Sequence, residues 1–74
     1  MAVKQLDALG IKCPQPVLKI AAMLPDMKAG EILEVVADCP TFEKDVRNWC
    51  QRLKKTPLWF RDEGGGKVRC QIQF

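Results

Sequence analysis

Apolar residues recur along the chain with two different periods. Val17, Ile20, Ala21 and Leu24 fall at i, i+3, i+4 and i+7, one stripe of an amphipathic helix that Pro25 and Gly30 close. A clearer helix follows from Phe42, Val46, Trp49, Cys50 and Leu53, with Glu43, Lys44, Arg47 and Gln51 on its other side. It cannot pass Thr56, because Pro57 disfavours helix in the residue before it. Elsewhere the period is two. Val68, Cys70, Ile72 and Phe74 alternate with polar residues, and residues 31–37 are apolar and β-branched, with Leu33, Val35 and Ala37 on one face. Residues 3–6 and 58–62 complete four predicted strands. A turn is expected around Asp7-Ala8-Leu9-Gly10 and a hairpin loop at Gly64-Gly65-Gly66.

The resulting order is β-α-β-α-β-β. Strands separated by a helix pair in parallel through a crossover, whereas the last two are close enough to form a hairpin. The economical arrangement is an α/β (α+β) two-layer sandwich: a four-stranded mixed sheet with both helices on one face. At 74 residues the chain holds one domain, 1–74, whose small core demands efficient patterning.

Composition narrows the function classes. With no histidine there is no Ser-His-Asp or Cys-His pair and no imidazole metal ligand. Twelve Lys+Arg against nine Asp+Glu give a formal charge of +3, which favours an acidic partner but is no nucleic-acid footprint. No apolar run approaches the ~18 residues that span a bilayer. Met1-Ala2-Val3-Lys4-Gln5 lacks the apolar core of a secretory signal, so a cytoplasmic location and reduced thiols are expected for the four cysteines. Cys13, Cys39, Cys50 and Cys70 contain no Cys-x-x-Cys spacing, and no metal or organic cofactor is expected.

Chemistry is concentrated in Gly10-Ile11-Lys12-Cys13-Pro14-Gln15-Pro16. Two prolines one residue apart would break a helix interior but suit its first turn, where amides have no intrahelical partner. Cys13 therefore falls at or beside the start of the first helix. Ser, Thr, Asp or Asn would cap better, so a thiol there calls for another reason. The helix N-terminus carries roughly half a positive charge and stabilises an adjacent anion by about 0.3–1 kcal/mol. Lys12, turned toward the sulfur, would add to that. Local physics leaves two readings of Cys13: an exposed thiolate on a rigid platform, suited to thiol exchange or persulfide carriage, or a small buried filler.

Leu6-Asp7-x-x-Gly10-Ile11-x-Cys13-Pro14-x-Pro16, followed by Asp38-x-Pro40 and a second helix carrying Asp45-Val46, resembles the TusA (SirA-like) family of small sulfur-carrier proteins. The likeness runs over essentially the whole chain, and Cys-Pro-x-Pro is its specific signature. It implies a sandwich like the C-terminal domain of translation initiation factor three. It implies too that Cys13 holds sulfane sulfur as a persulfide. The donor would be a cysteine desulfurase or rhodanese-type protein, and the acceptor a DsrE-like relay protein. The pathways implied are tRNA thiolation, molybdenum-cofactor synthesis or sulfur oxidation. Where many family members have glycine at the end of the second helix, this chain has Arg52-Leu53-Lys54-Lys55-Thr56-Pro57; those cations either complement the helix terminus or form a docking patch.

The expected function is therefore a sulfur carrier or sulfurtransferase acting through Cys13, with Gly10, Lys12, Pro14 and Pro16 shaping the junction and no direct nucleic-acid or membrane role. A monomer or weak dimer is expected. Parallel strands deliver both helix starts to one sheet edge, which brings Cys39 near Cys13. Cys39 is then either a resolving thiol or an unremarkable residue between Asp38 and Pro40. The alternative function is a thiol redox-regulatory or interaction module using Cys13 and Cys39. Asp38 is expected to accept hydrogen bonds from free amides at the second helix start. Cys50, Cys70 and Trp49 are expected in the core, and Trp59, out of phase with Leu58 and Phe60, on the open sheet face.

Overall fold

The computed structural model describes residues 3–12 and 15–74. Its elements run β1 (Val3–Ala8), α1 (Gln15–Ala22), a 3₁₀ turn (Leu24–Asp26), β2 (Ile32–Ala37), α2 (Phe42–Leu53), β3 (Thr56–Gly64) and β4 (Lys67–Gln73). The sheet order is β1-β2-β4-β3, with β1 parallel to β2 and the other two pairings antiparallel. This is the mixed four-stranded sheet and pair of helices that the residue pattern implies.

One face of the sheet carries the core. Ala8, Leu33, Val35, Ala37, Cys70 and Ile72 point to the helices and meet Ile20 of α1 and Phe42, Val46, Trp49 and Cys50 of α2, all of them buried. Burying a large apolar side chain contributes about 1.5–3 kcal/mol, so this layer is the main source of stability in a chain this small. The opposite face is polar. Arg69 reaches Glu34 at 2.8 Å and Glu63 at 2.9 Å, and Gln71 donates to Glu34 at 2.8 Å. The Gln71 hydrogen bond, with the Arg69 guanidinium, holds the Glu34 carboxyl below its ordinary range. Trp59 lies on this face, opposite Gln71 and with the Arg61 guanidinium 5.1 Å from its ring centre.

Four boundaries differ from expectation. β1 continues through Asp7 and Ala8, which stay in register with Val36 and Ala37; the chain turns only at Gly10, whose φ of 77° is open to glycine at little cost. α1 stops at Ala22. Pro25 cannot donate to a carbonyl four residues back, and the chain tightens instead through Met23 N–H to Ile20 O and Asp26 N–H to Met23 O. β3 starts at Thr56 and contains Pro57, which an edge strand tolerates with a register shift between Pro57 and Trp59. Leu53, placed in the apolar stripe by spacing, is 39% exposed. The stripe ends at Cys50 because the chain leaves the helix at Lys54, which adopts a left-handed φ of 60° while the next amide, Lys55 N–H, donates to Cys50 O.

Candidate functional site at the sheet edge

Because β1 and β2 run parallel and end at the paired residues Ala8 and Ala37, the chain leaves both strands at one edge of the sheet. The β1–α1 loop and the β2–α2 loop therefore lie side by side. Between them is an open pocket of ≈ 420 Å³ lined by Gly10, Ile11 and Lys12 from the first and Asp38, Cys39, Pro40 and Thr41 from the second.

Asp38 ties the loops together. Its two carboxylate oxygens lie 3.1 and 3.2 Å from the Gly10 amide, which donates to them across 28 residues of sequence. This corrects the expected role of Asp38 at the start of α2. That helix begins at Phe42, too far along the chain from Asp38, and Thr41 stands at its N-cap without a side-chain capping bond. Within the first loop, Asp7 accepts from Leu9 N–H at 2.9 Å and Gln15 N–H donates to Lys12 O at 2.9 Å. The latter bond links Lys12 to the first residue of α1. Pro16 follows at the second position of the helix, buried, where its missing amide leaves no hydrogen bond unmade. Lys12 is exposed on the pocket rim. Cys13 and Pro14 lie outside the described residues, so their expected roles rest on the segments that flank them.

Cys39 is 4% exposed and disulfide-bonded, which corrects the expectation that all four cysteines are reduced thiols. Its sulfur lies 3.7 Å from the Thr41 hydroxyl oxygen, and that hydroxyl donates to the Asp45 carboxylate at 2.9 Å. The residue pattern does not single out Thr41, and Asp45 enters it only through the family likeness. A threonine before a helix reads as an ordinary cap, and only the fold turns its hydroxyl toward Asp45 and the sulfur. The two core cysteines contrast with Cys39. Cys50 and Cys70 are free thiols, fully buried on the apolar faces of α2 and β4. Burial pushes the Cys50 thiol up to about 11 and the Cys70 thiol to about 12. Neither is a nucleophile near neutral pH.

A family model described as sulfurtransferase TusA matches residues 4–73. The chain belongs to the TusA family. The site edge, both helices and all of the sheet except Val3 fall within the matched span, which brings the sulfurtransferase and sulfur-carrier class with it at family level. The fold is also that of a SirA-like protein from Desulfitobacterium hafniense, with a TM-score of 0.82, 20% sequence identity, and 97% of this chain and 96% of that one covered. No helix among the described residues is long and apolar enough to cross a membrane.

Proposed function

We propose that this TusA-family chain carries sulfane sulfur as a persulfide on Cys13 and passes it to a partner's thiol. The observation that carries the reading is the coincidence of the Cys-Pro-x-Pro segment with the junction between a tied loop and the start of α1, in a chain matched to the sulfurtransferase family from residue 4 to residue 73.

The chemistry asks little of the rest of the site. The Cys13 thiolate attacks the terminal sulfur of a donor persulfide, and the donor's own cysteine leaves as thiolate. The outer sulfur of the new persulfide is then open to an acceptor thiolate, which restores Cys13. No leaving amine needs a proton, so the absence of histidine from the sequence is no obstacle. The positive terminus of α1 favours the anionic sulfur, and Lys12 on the rim adds a cation. Gly10, held by Asp38, and Pro16, packed beneath the helix start, keep the loop from moving when partners exchange. The donor fits a cysteine desulfurase or rhodanese-type protein, and the acceptor a relay protein of the DsrE type, in the cytoplasm.

Incubation with a cysteine desulfurase and cysteine, followed by intact mass measurement, tests the reading. The expected result is gain of one sulfur by the native sequence and none by Cys13→Ala. Equal gain by both would overturn it.

A further inference from the structure

Cys39 is buried with the core cluster but stands at the edge of it. It sits past the end of β2, in the loop that Asp38 bonds to Gly10, and it lines the same pocket as Gly10, Ile11 and Lys12. Gly10 and Lys12 are three residues and one residue ahead of Cys13, and Gln15 N–H, two residues after it, donates to Lys12 O. Cys39 is also disulfide-bonded, whereas Cys50 and Cys70 are free thiols, so Cys39 is in a chemically different state from the thiols of the core. Its polar surroundings match a reacting group. In the reduced state the Cys39 thiol can donate to the Thr41 hydroxyl at 3.7 Å, which itself donates to Asp45 at 2.9 Å. Cys39 also precedes a helix of twelve residues, with its own carbonyl accepting from Phe42 N–H at 3.1 Å; the positive end of α2 favours an anion there, while Glu43 and Asp45 in its first turn oppose one.

Building on the persulfide reading of Cys13, we propose that Cys39 is a second reacting thiol of the same site, which discharges the carried sulfur as sulfide when no acceptor is docked. The Cys39 thiolate attacks the inner sulfur of the Cys13 persulfide. A sulfur–sulfur bond forms between Cys39 and Cys13, the bond between the inner and outer sulfur breaks, and the outer sulfur leaves as hydrosulfide with the electron pair of that bond. The sulfane sulfur is reduced by two electrons, and the two cysteine sulfurs are together oxidised by two. The Cys13–Cys39 disulfide is then reopened by an external dithiol, whose two sulfurs end as a disulfide. The protein thus has two exits for its sulfur: direct transfer to a docked thiolate, and self-discharge. The second leaves it unable to reload until it is reduced, which ties carriage to the supply of dithiol.

The test uses the full chain, reduced, freed of reductant and loaded with cysteine desulfurase and cysteine. Sulfide release after removal of the donor is measured, with peptide mapping of the product. The expected product is a Cys13–Cys39 disulfide formed in step with one sulfide per loaded chain. Cys39→Ser and Cys39→Ala should both load normally yet release sulfide at least about tenfold more slowly, and treatment with a dithiol, removed again before the donor is returned, should be required to reload discharged native protein but not the variants. Equal sulfide release by native protein and variants, or discharge with no Cys13–Cys39 peptide, overturns this inference and leaves the carrier reading intact. Failure of the native protein to gain sulfur at all overturns both. The mapped disulfide in the native chain decides the matter even if a variant folds poorly.

Discussion

Among the described residues, Cys39 and the pair of Cys50 and Cys70 occupy different parts of the fold. Cys50 and Cys70 are sealed between α2 and the sheet, and burial lifts their thiols to about 11 and about 12. Cys39, also buried, sits at the edge where two parallel strands release their chains, beside hydrogen-bonded loops and the pocket lined by Gly10, Ile11 and Lys12. The same side chain is an inert filler in one setting and a candidate nucleophile in the other. The difference is made by desolvation in the core and by amides, a cation and tied loops at the rim. Stability resides in the core and the proposed chemistry at the rim, with Phe42 and Asp38 as the residues that join them.

The largest effect should come from Phe42→Ala. Phe42 is fully buried at the first position of α2, so truncation leaves a cavity beneath both the core and the rim and costs about 3–5 kcal/mol. Against a total of roughly 5–15 kcal/mol for a domain, a urea titration should show a large drop in midpoint. An unchanged midpoint would mean that the core does not depend on this junction. Asp38→Ala acts at the rim only. Loss of its bonds to Gly10 should cost about 1 kcal/mol, which lowers the melting temperature by about 4–8 °C in a chain of this size, and sulfur loading should slow while Cys50 and Cys70 remain unreactive.

Alkaline titration probes the buried pair from the other side. In the unfolded chain both thiols ionise near 9.0, whereas in the folded chain they stay neutral to about 11 and about 12. Above pH 9 the unfolded state alone gains by ionising, so stability that is fully present below that pH is lost as it rises toward 11. Denaturation midpoints should fall across this window and fall less for Cys70→Ala; a flat profile would place the thiols nearer to solvent. In the same window of comparison, iodoacetamide at neutral pH should leave Cys50 and Cys70 unlabelled in reduced native protein. The smallest effect is expected at the end of α2. Lys54 holds a left-handed conformation that a side chain disfavours, so Lys54→Gly should stabilise the chain by about 0.5–1 kcal/mol, read as a small rise in melting temperature.

Much of this division was legible in the residues. The 3.6-residue stripe from Phe42 to Cys50 and the alternation from Val68 onward place Cys50 and Cys70 inside, because burial on one face is what such periods encode. The order of elements brings both helix starts to one edge. What the pattern misplaced depends on contacts between distant segments. Asp38 reads as a cap for the helix after it, yet bonds an amide 28 residues earlier, because the parallel register of β1 and β2 sets Gly10 beside it. Leu53 has the spacing of a core residue but sits where the helix ends and its cover runs out. Pro57 reads as a break, but the strand it enters lies at the sheet edge and has no neighbour on one side. The Thr41–Asp45 bond beside Cys39 has no periodic signature at all.

The central claim is that the rim, and not the core, handles sulfur. Peptide mapping of the reduced chain after exposure to a cysteine desulfurase and cysteine tests it most directly, with free thiols and persulfides alkylated before digestion. The added sulfur should be found on the peptide holding Cys13, with Cys50 and Cys70 carrying none. Added sulfur on the Cys50 or Cys70 peptide, or an unmodified Cys13 peptide under conditions that load a known carrier, would contradict the account.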